Sequence, residues 1–262
     1  MKLVIANICL EIDAICCTED WRKFVNFSKD KFVDLSIYIV SSQNEAYNIE
    51  RLIFPKMKSK NCFRFHSEVM FVSENWDKIY LLSPLNKWDI QTLLIQAFHT
   101  HAVQRHMIQL HSSLIEHKGR GLMFLGPSGI GKTTQAELWN KYRNALIING
   151  DIVFVQETED GFLGWGTPWH GSSPYCENTS VPVEALVVLK QAPENSIREL
   201  TGFEKVTAVS NSVFYPRWLE NGMELCLETL DHLLSALPVY ELSCRPDEEA
   251  VKLTESIVFG RE

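Results

Sequence analysis

Gly126-Pro127-Ser128-Gly129-Ile130-Gly131-Lys132-Thr133 fits the pattern G-x-x-x-x-G-K-[ST] at every fixed position, and the rest of the chain is best read outward from it. Immediately before it, residues 121–125 form an apolar run that reads as a strand. Immediately after it, residues 132–142 carry Ala136, Leu138 and Trp139 at helical spacing. Strand, glycine-rich turn and helix are the context in which this pattern acts as a P-loop. Its glycines let backbone N–H groups turn inward around a polyphosphate, and the helix that follows adds the positive end of its dipole. Lys132 supplies a cation for the terminal phosphates, and the Thr133 hydroxyl is suited to Mg²⁺. Thr134 extends the candidate nucleotide-binding segment, which runs from Gly126 through Pro127, Ser128, Gly129, Ile130, Gly131, Lys132 and Thr133.

A P-loop also needs a carboxylate near its metal, and Asp151 is the first candidate. It ends the apolar strand at 145–148, after Asn149 and Gly150. Only one helix and one strand separate it from Lys132, so its strand is expected to neighbour the P-loop strand and bring Asp151 to the loop's mouth. Glu157 is the alternative carboxylate. His111 lies on the preceding strand, 107–116, where a structural role competes with a catalytic one. His99, His101 and His106 lie on a helix without a metal-ligand pattern. The segment 166–173, with Trp165 and Trp169 beside glycine and hydroxyl residues, reads equally as a cover over a nucleotide or as a packed, Trp-anchored turn. Arg245 stands between a strand and a helix start, facing either a phosphate or a surface ion pair.

Around this centre, residues 2–11, 33–40, 62–72 and 78–82 read as strands and 21–27 as a short helix, a β-rich N-terminal region of residues 1–86. An amphipathic helix at 88–106 joins it to a domain of residues 87–262. There the polar turn 117–120 joins two strands, and 151–155 with 162–165 forms a hairpin. Strands are expected at 186–190 and 239–242, helix through most of 204–237, and a last helix at 246–258. The fold class is α/β. The chain has 262 residues with 25 Lys+Arg against 33 Asp+Glu, a net charge of −8 that argues against a nucleic-acid or anionic-membrane surface. Its 7 cysteines form no C-x-x-C, which points to reduced thiols in a cytoplasmic, soluble protein.

Taken together, Leu110-His111, the P-loop, Asn149-Gly150-Asp151, Gly166-Thr167-Pro168-Trp169 and Cys244-Arg245-Pro246-Asp247 resemble the C-terminal kinase domain of HPr kinase/phosphorylase and its relatives. That family shares its nucleotide fold with phosphoenolpyruvate carboxykinase. The resemblance covers residues 107–260 and implies an HPr-kinase/PEP-carboxykinase-like core that uses ATP and Mg²⁺. It assigns phosphate and metal contacts to Lys132 and Thr133, a place near the reacting centre to His111, and the second member of an Asp-Asp pair to Asp151. The first member is Gly150 here, so Asp151 serves alone, His111 assists as base, or transfer is weakened or lost. The family's further glycine-rich segment has no counterpart. The implied activity is transfer of a γ-phosphoryl group to a hydroxyl, a Ser of a peptide or protein other than HPr. A small-molecule kinase, carboxykinase-like chemistry and a non-catalytic nucleotide-binding module remain as alternatives. A homo-oligomer is compatible with this reading.

Overall fold

In the computed structural model, residues 1–26, 32–40, 62–82 and 86–260 are described. They divide into one unit of Met1–Gln104 with Pro216–Gly222 and another of Arg105–Tyr215 with Met223–Glu262.

The first unit holds a six-stranded sheet in the order β1-β2-β3-β6-β5-β4. Its strands are β1 (Lys2–Ile5), β2 (Ile8–Glu11), β3 (Leu35–Val40), β4 (Cys62–Phe65), β5 (Glu68–Val72) and β6 (Lys78–Leu82). Two of the expected strands are therefore hairpins. Residues 2–11 fold back at Ala6 and Asn7, both left-handed with φ of 45° and 63°, and 62–72 fold back near His66 with φ of 52°. Such turns favour Gly, Asn or Asp, so Ala6 and His66 gave no sequence signal of a reversal. The expected helix at 21–27 is a 3-10 segment, Glu19–Phe24, with Trp21 and Phe24 fully buried, and Phe27 lies outside the described residues.

Helix α1 (Lys87–Val103) is capped by the Asn86 side chain, which accepts from the N–H groups of Trp88 at 2.9 Å and Asp89 at 3.4 Å. It is not amphipathic. Ile90, Leu93, Leu94, Ala97, Phe98, His99 and Thr100 are buried around most of its circumference. It packs on β4, β5 and the turn Ala14–Cys16, so it completes the first unit, and the boundary falls after it rather than at residue 86. The returning segment is tied on by Trp218 Nε1, which donates to Thr100 Oγ1 at 2.8 Å, and by the edge of the His99 ring against Trp218.

The second unit is built on a nine-stranded sheet whose main path is β11-β10-β7-β8-β12-β15-β13. Its strands are β7 (Met107–His117), β8 (Arg120–Leu125), β9 (Leu146–Asn149), β10 (Ile152–Thr158), β11 (Gly161–Trp165), β12 (Ser180–Gln191), β13 (Ser196–Leu200), β14 (Val213–Phe214) and β15 (Val239–Cys244). β8, β12 and β15 are parallel neighbours, while the pairings of β7 with β8 and of β13 with β15 are antiparallel. β11 also pairs the start of β12, which closes the path β7-β8-β12-β11-β10 on itself. Helices α2 (Lys132–Arg143) and α5 (Glu248–Val258) bury Ala136, Trp139, Ala250, Val251 and Val258 in one core with Phe124, Val187 and Tyr240 of the parallel strands. Each fully buried large side chain contributes about 1.5–3 kcal/mol. The expected helix over 204–237 is two helices, α3 (Gly202–Ser210) and α4 (Gly222–Ala236), separated by β14. The last helix begins at Glu248 because Asp247 caps it, its side chain accepting from Ala250 N at 3.0 Å.

Strand β7 positions the site. Along one edge it pairs β9 through Leu114, Ile115 and Glu116, then β10 from His111 back to Met107. Along the other it pairs β8 from Ser112 to His117, then β14 at Leu110 and Gln109. The strand before Asp151 is therefore not the neighbour of the strand before the glycine-rich loop. Both pair with β7, one on each side, and the break between β9 and β10 falls beside Ser112, which also faces the end of β8.

Candidate functional site

The glycine-rich loop leaves β8 after Leu125 and reverses through left-handed glycines: φ is 136° at Gly126, 79° at Gly129 and 116° at Gly131, the residue before α2. A side chain at Gly129 or Gly131 would meet no neighbour within 4 Å, so the backbone conformation alone demands glycine there. From β7, Ser113 Oγ donates to the Lys132 carbonyl at 3.0 Å and fixes the start of the helix. The Lys132 ammonium is tucked under the loop and donates to the carbonyls of Gly126 at 3.1 Å and Pro127 at 3.3 Å. Burial pushes its pKa below the usual lysine value, and the nearby Asp151 carboxylate pulls it back up. Thr133 Oγ1 donates to the Gly150 carbonyl at 3.2 Å. Loop and Asp151 turn are thereby joined directly.

That turn is organised by Asn149, which is fully buried. Its Oδ1 accepts from the N–H groups of Asp151 at 2.9 Å and Ile152 at 3.0 Å, while its Nδ2 donates to the carbonyls of Thr167 at 3.0 Å and Trp169 at 3.1 Å. The Asp151 carbonyl accepts from Ser112 N at 2.9 Å. Its carboxylate Oδ1 accepts from His111 Nε2 at 2.9 Å, with both side chains a little over a quarter exposed. The structure thus brings together Lys132, Thr133, Asp151 and His111. A hydroxyl and a carboxylate are hard oxygen donors of the kind Mg²⁺ takes, and the inward-turned loop is of the kind that takes phosphate. A carboxylate bonded to an imidazole can accept and hold a proton.

The segment 166–173 is a packed part of this site, and Thr167 and Trp169 are buried. Gly171 has φ of 57°, and a Cβ there would lie 2.2 Å from Asp151 Oδ2, so only glycine lets the segment close on the carboxylate. The His170 ring Nδ1 donates to the Ser173 carbonyl and braces the same turn. A Cβ at Gly150 would lie 1.8 Å from Ser173 Oγ and 2.4 Å from Ser173 Cβ, so Ser173 fills the space that a side chain at 150 would need. Gly150→Ala should therefore destabilise the protein by roughly 1–3 kcal/mol through overpacking, visible as a lower urea midpoint. Adding Ser173→Gly to Gly150→Ala should restore most of that loss. Equal stability of wild type and Gly150→Ala would show that the turn yields freely.

The other candidates are engaged by other partners. Glu157 accepts from His232 Nδ1 at 2.9 Å, with no contact to the loop among its hydrogen bonds. Arg245 is held by Asp247 at 2.9 Å and Glu249 at 3.5 Å, the ion-pair alternative. In the first unit, His101 Nε2 bonds the Trp76 carbonyl at 2.9 Å. Sequence reasoning gave Ser113 no role, and it named Asn149 and the segment holding Gly171 and Ser173 without the contacts between distant positions that define what they do.

The profile of one protein family, described as "SynChlorMet cassette protein ScmC", matches residues 81–244, more than half of the chain. The chain belongs to the ScmC family. The matched span of this ScmC-family chain contains the glycine-rich loop, Asp151 and His111. No curated protein matches it. Among solved structures, it is similar to the Hpr(Ser) kinase/phosphatase from Coxiella burnetii at 10% identity, covering 58% of this chain and 95% of that one, with a TM-score of 0.34. The ScmC description itself names no activity. No helix among the described residues of the ScmC-family chain is long and apolar enough to cross a membrane.

Proposed function

We propose that this protein is a Mg²⁺-ATP-dependent kinase with a P-loop, HPr-kinase-like core, which transfers the γ-phosphoryl group to a hydroxyl, a Ser of a peptide or protein other than HPr. The observation that carries this reading is the convergence of Lys132, Thr133 and the Asp151–His111 pair around the glycine-rich loop. Bound Mg²⁺ would neutralise charge on the phosphates; Thr133 and Asp151 would hold it. Backbone N–H groups of the glycine-rich loop, apart from Pro127, which has none, would orient the phosphates, and Lys132 would exchange its loop carbonyls for phosphate oxygens. Asp151, with His111 behind it, takes the proton of the acceptor hydroxyl. The segment 166–173 covers the carboxylate and limits its access to water. The net charge of −8 disfavours nucleic acid and membrane as partners and is compatible with a cytoplasmic protein.

A polypeptide acceptor would dock on residues 1–86, where β4 ends the sheet among the described residues. The alternative role of that region is an interface between copies of the chain. A second reading, nucleotide binding without transfer, is favoured by Ser173, which fills the space beside Gly150 that another carboxylate would use.

The test is incubation of the protein with ATP labelled at the γ position, Mg²⁺ and a Ser-containing peptide library. Label on Ser in the wild type, absent in Lys132→Ala, supports the kinase. Label on small metabolites alone would move the assignment to a small-molecule kinase. Tight ATP binding with no labelled product in extract or library would favour the binding module.

A further inference from the structure

Alternate side chains on one face of β7 set out the site in order along the strand. Ile115 lies in the core beneath α2, Ser113 anchors the start of that helix, His111 bonds Asp151, and Gln109 comes two residues further on. At this end β14 pairs β7 with Phe214 opposite Gln109, so their side chains share the face that carries His111. The backbone of β14 is pinned there: His111 N–H donates to the Ser212 carbonyl at 2.8 Å, and the Val213 side chain is buried on the opposite face. Phe214 itself is 43% exposed, and its ring centroid lies 6.3 Å from that of His111. All of these residues belong to the second unit. The exposed part of the ring gains nothing from folding, whereas a ligand that reaches the Asp151–His111 pair can remove it from water.

We propose that Phe214 is a specificity-determining residue for the acceptor, seating a large apolar side chain of the peptide within two residues of the Ser that is phosphorylated. This rests on the kinase reading of the same site. Phosphoryl transfer runs with the attacking and leaving oxygens roughly in line, so the acceptor and the glycine-rich loop lie on opposite sides of the transferred group. Along β7, Ser113 marks the loop side of His111 and Gln109 the other, and Phe214 stands on the Gln109 side. Two residues of extended chain span about 7 Å. The 6.3 Å between the His111 and Phe214 rings is of that size, so a peptide whose Ser hydroxyl meets Asp151 carries a close neighbour over the ring. Ile152 and Phe154 of β10, opposite His111 and Gln109, put no charge on this face, which suits an apolar neighbour rather than an ionic one.

The experiment is phosphorylation by the full chain, with γ-labelled ATP and Mg²⁺, of a peptide library that has one fixed Ser and randomised flanking positions. Labelled product from wild type should be enriched in Phe, Tyr, Trp, Leu, Ile or Met within two residues of the Ser. Phe214→Ala should lose that enrichment and raise KM for the best wild-type peptide about tenfold, with the loss falling on the peptide KM rather than the ATP KM. Phe214→Leu, which keeps an apolar side chain, should retain the enrichment. A wild-type product without apolar enrichment, or the same enrichment and peptide KM in Phe214→Ala, overturns the inference while the kinase reading stands. No labelled peptide from wild type overturns the kinase reading and the inference together. Should Phe214→Ala not fold, Phe214→Gln keeps the bulk of the side chain without its apolar face. It is expected to lose the enrichment, and retained enrichment overturns the assignment.

Discussion

Lys132→Ala should abolish phosphoryl transfer and weaken Mg²⁺-ATP binding about a hundredfold, because it removes roughly 3 kcal/mol of charge-assisted contact to the phosphates. The size of this effect follows from where the ammonium sits. It donates to the carbonyls of Gly126 and Pro127 from beneath the loop, already largely removed from water. Transferring those hydrogen bonds to phosphate oxygens involves little further desolvation, so most of the charge attraction remains available to the ligand. The fold itself should survive. Ser113 anchors the helix start through the backbone of Lys132, and the glycines shape the loop without its side chain. Calorimetry with ATP alongside the thermal midpoint separates the two effects. Equal ATP affinity in Lys132→Ala and wild type, with both folded, would remove Lys132 from the nucleotide site.

What the sequence made legible and what it did not follow one physical division. The glycine-rich loop, its flanking β8 and α2, and the turn at Lys118 and Gly119 are specified by residues next to one another, so pattern and turn chemistry reveal them. The fully buried strands read clearly for the same reason, since Leu122, Phe124 and Val187 lie in apolar runs. The reversal at Ala6 and Asn7 was hidden because alanine is not a turn residue, and its left-handed φ is held by strand pairing on both sides. β13 and β14 are short, and each is a strand only through its partner, β15 or β7. Placing Asp151's strand next to β8 failed because nothing local shows which edge of β7 a strand takes: β8 and β9 pair the same residues, Leu114 to Glu116, from opposite edges. Gly150 illustrates the point at the site. In sequence it is a carboxylate missing from a pattern, whereas in the structure its position is sterically closed by Ser173. Asn149, read as part of a turn, is the buried link between that turn and the segment carrying Trp169.

Asp151→Asn should lower the transfer rate by about 10²–10⁴ at saturating ATP and Mg²⁺, the range associated with loss of a positioned acid or base, while leaving nucleotide affinity nearly unchanged. The substitution keeps the shape of the side chain and the backbone contacts of the turn: Asn149 still accepts from the residue 151 N–H, and Ser112 N still donates to the residue 151 carbonyl. What it removes is one negative charge beside His111, Lys132 and the proposed metal position. On the proposed reading the loop and Lys132 would hold most of the nucleotide, so binding should report little of that loss. Proton acceptance by the carboxylate, in contrast, ends. His111→Ala should cost less, because it removes the group that orients the carboxylate and leaves the charge in place. A single-turnover rate in Asp151→Asn equal to wild type would exclude Asp151 as base. A raised Mg²⁺ requirement with the rate recovered at high Mg²⁺ would instead confine its role to holding the metal. If Asp151 is the base, raising Mg²⁺ should not rescue the rate, because a neutral amide at 151 has no lone pair of comparable basicity to take the hydroxyl proton.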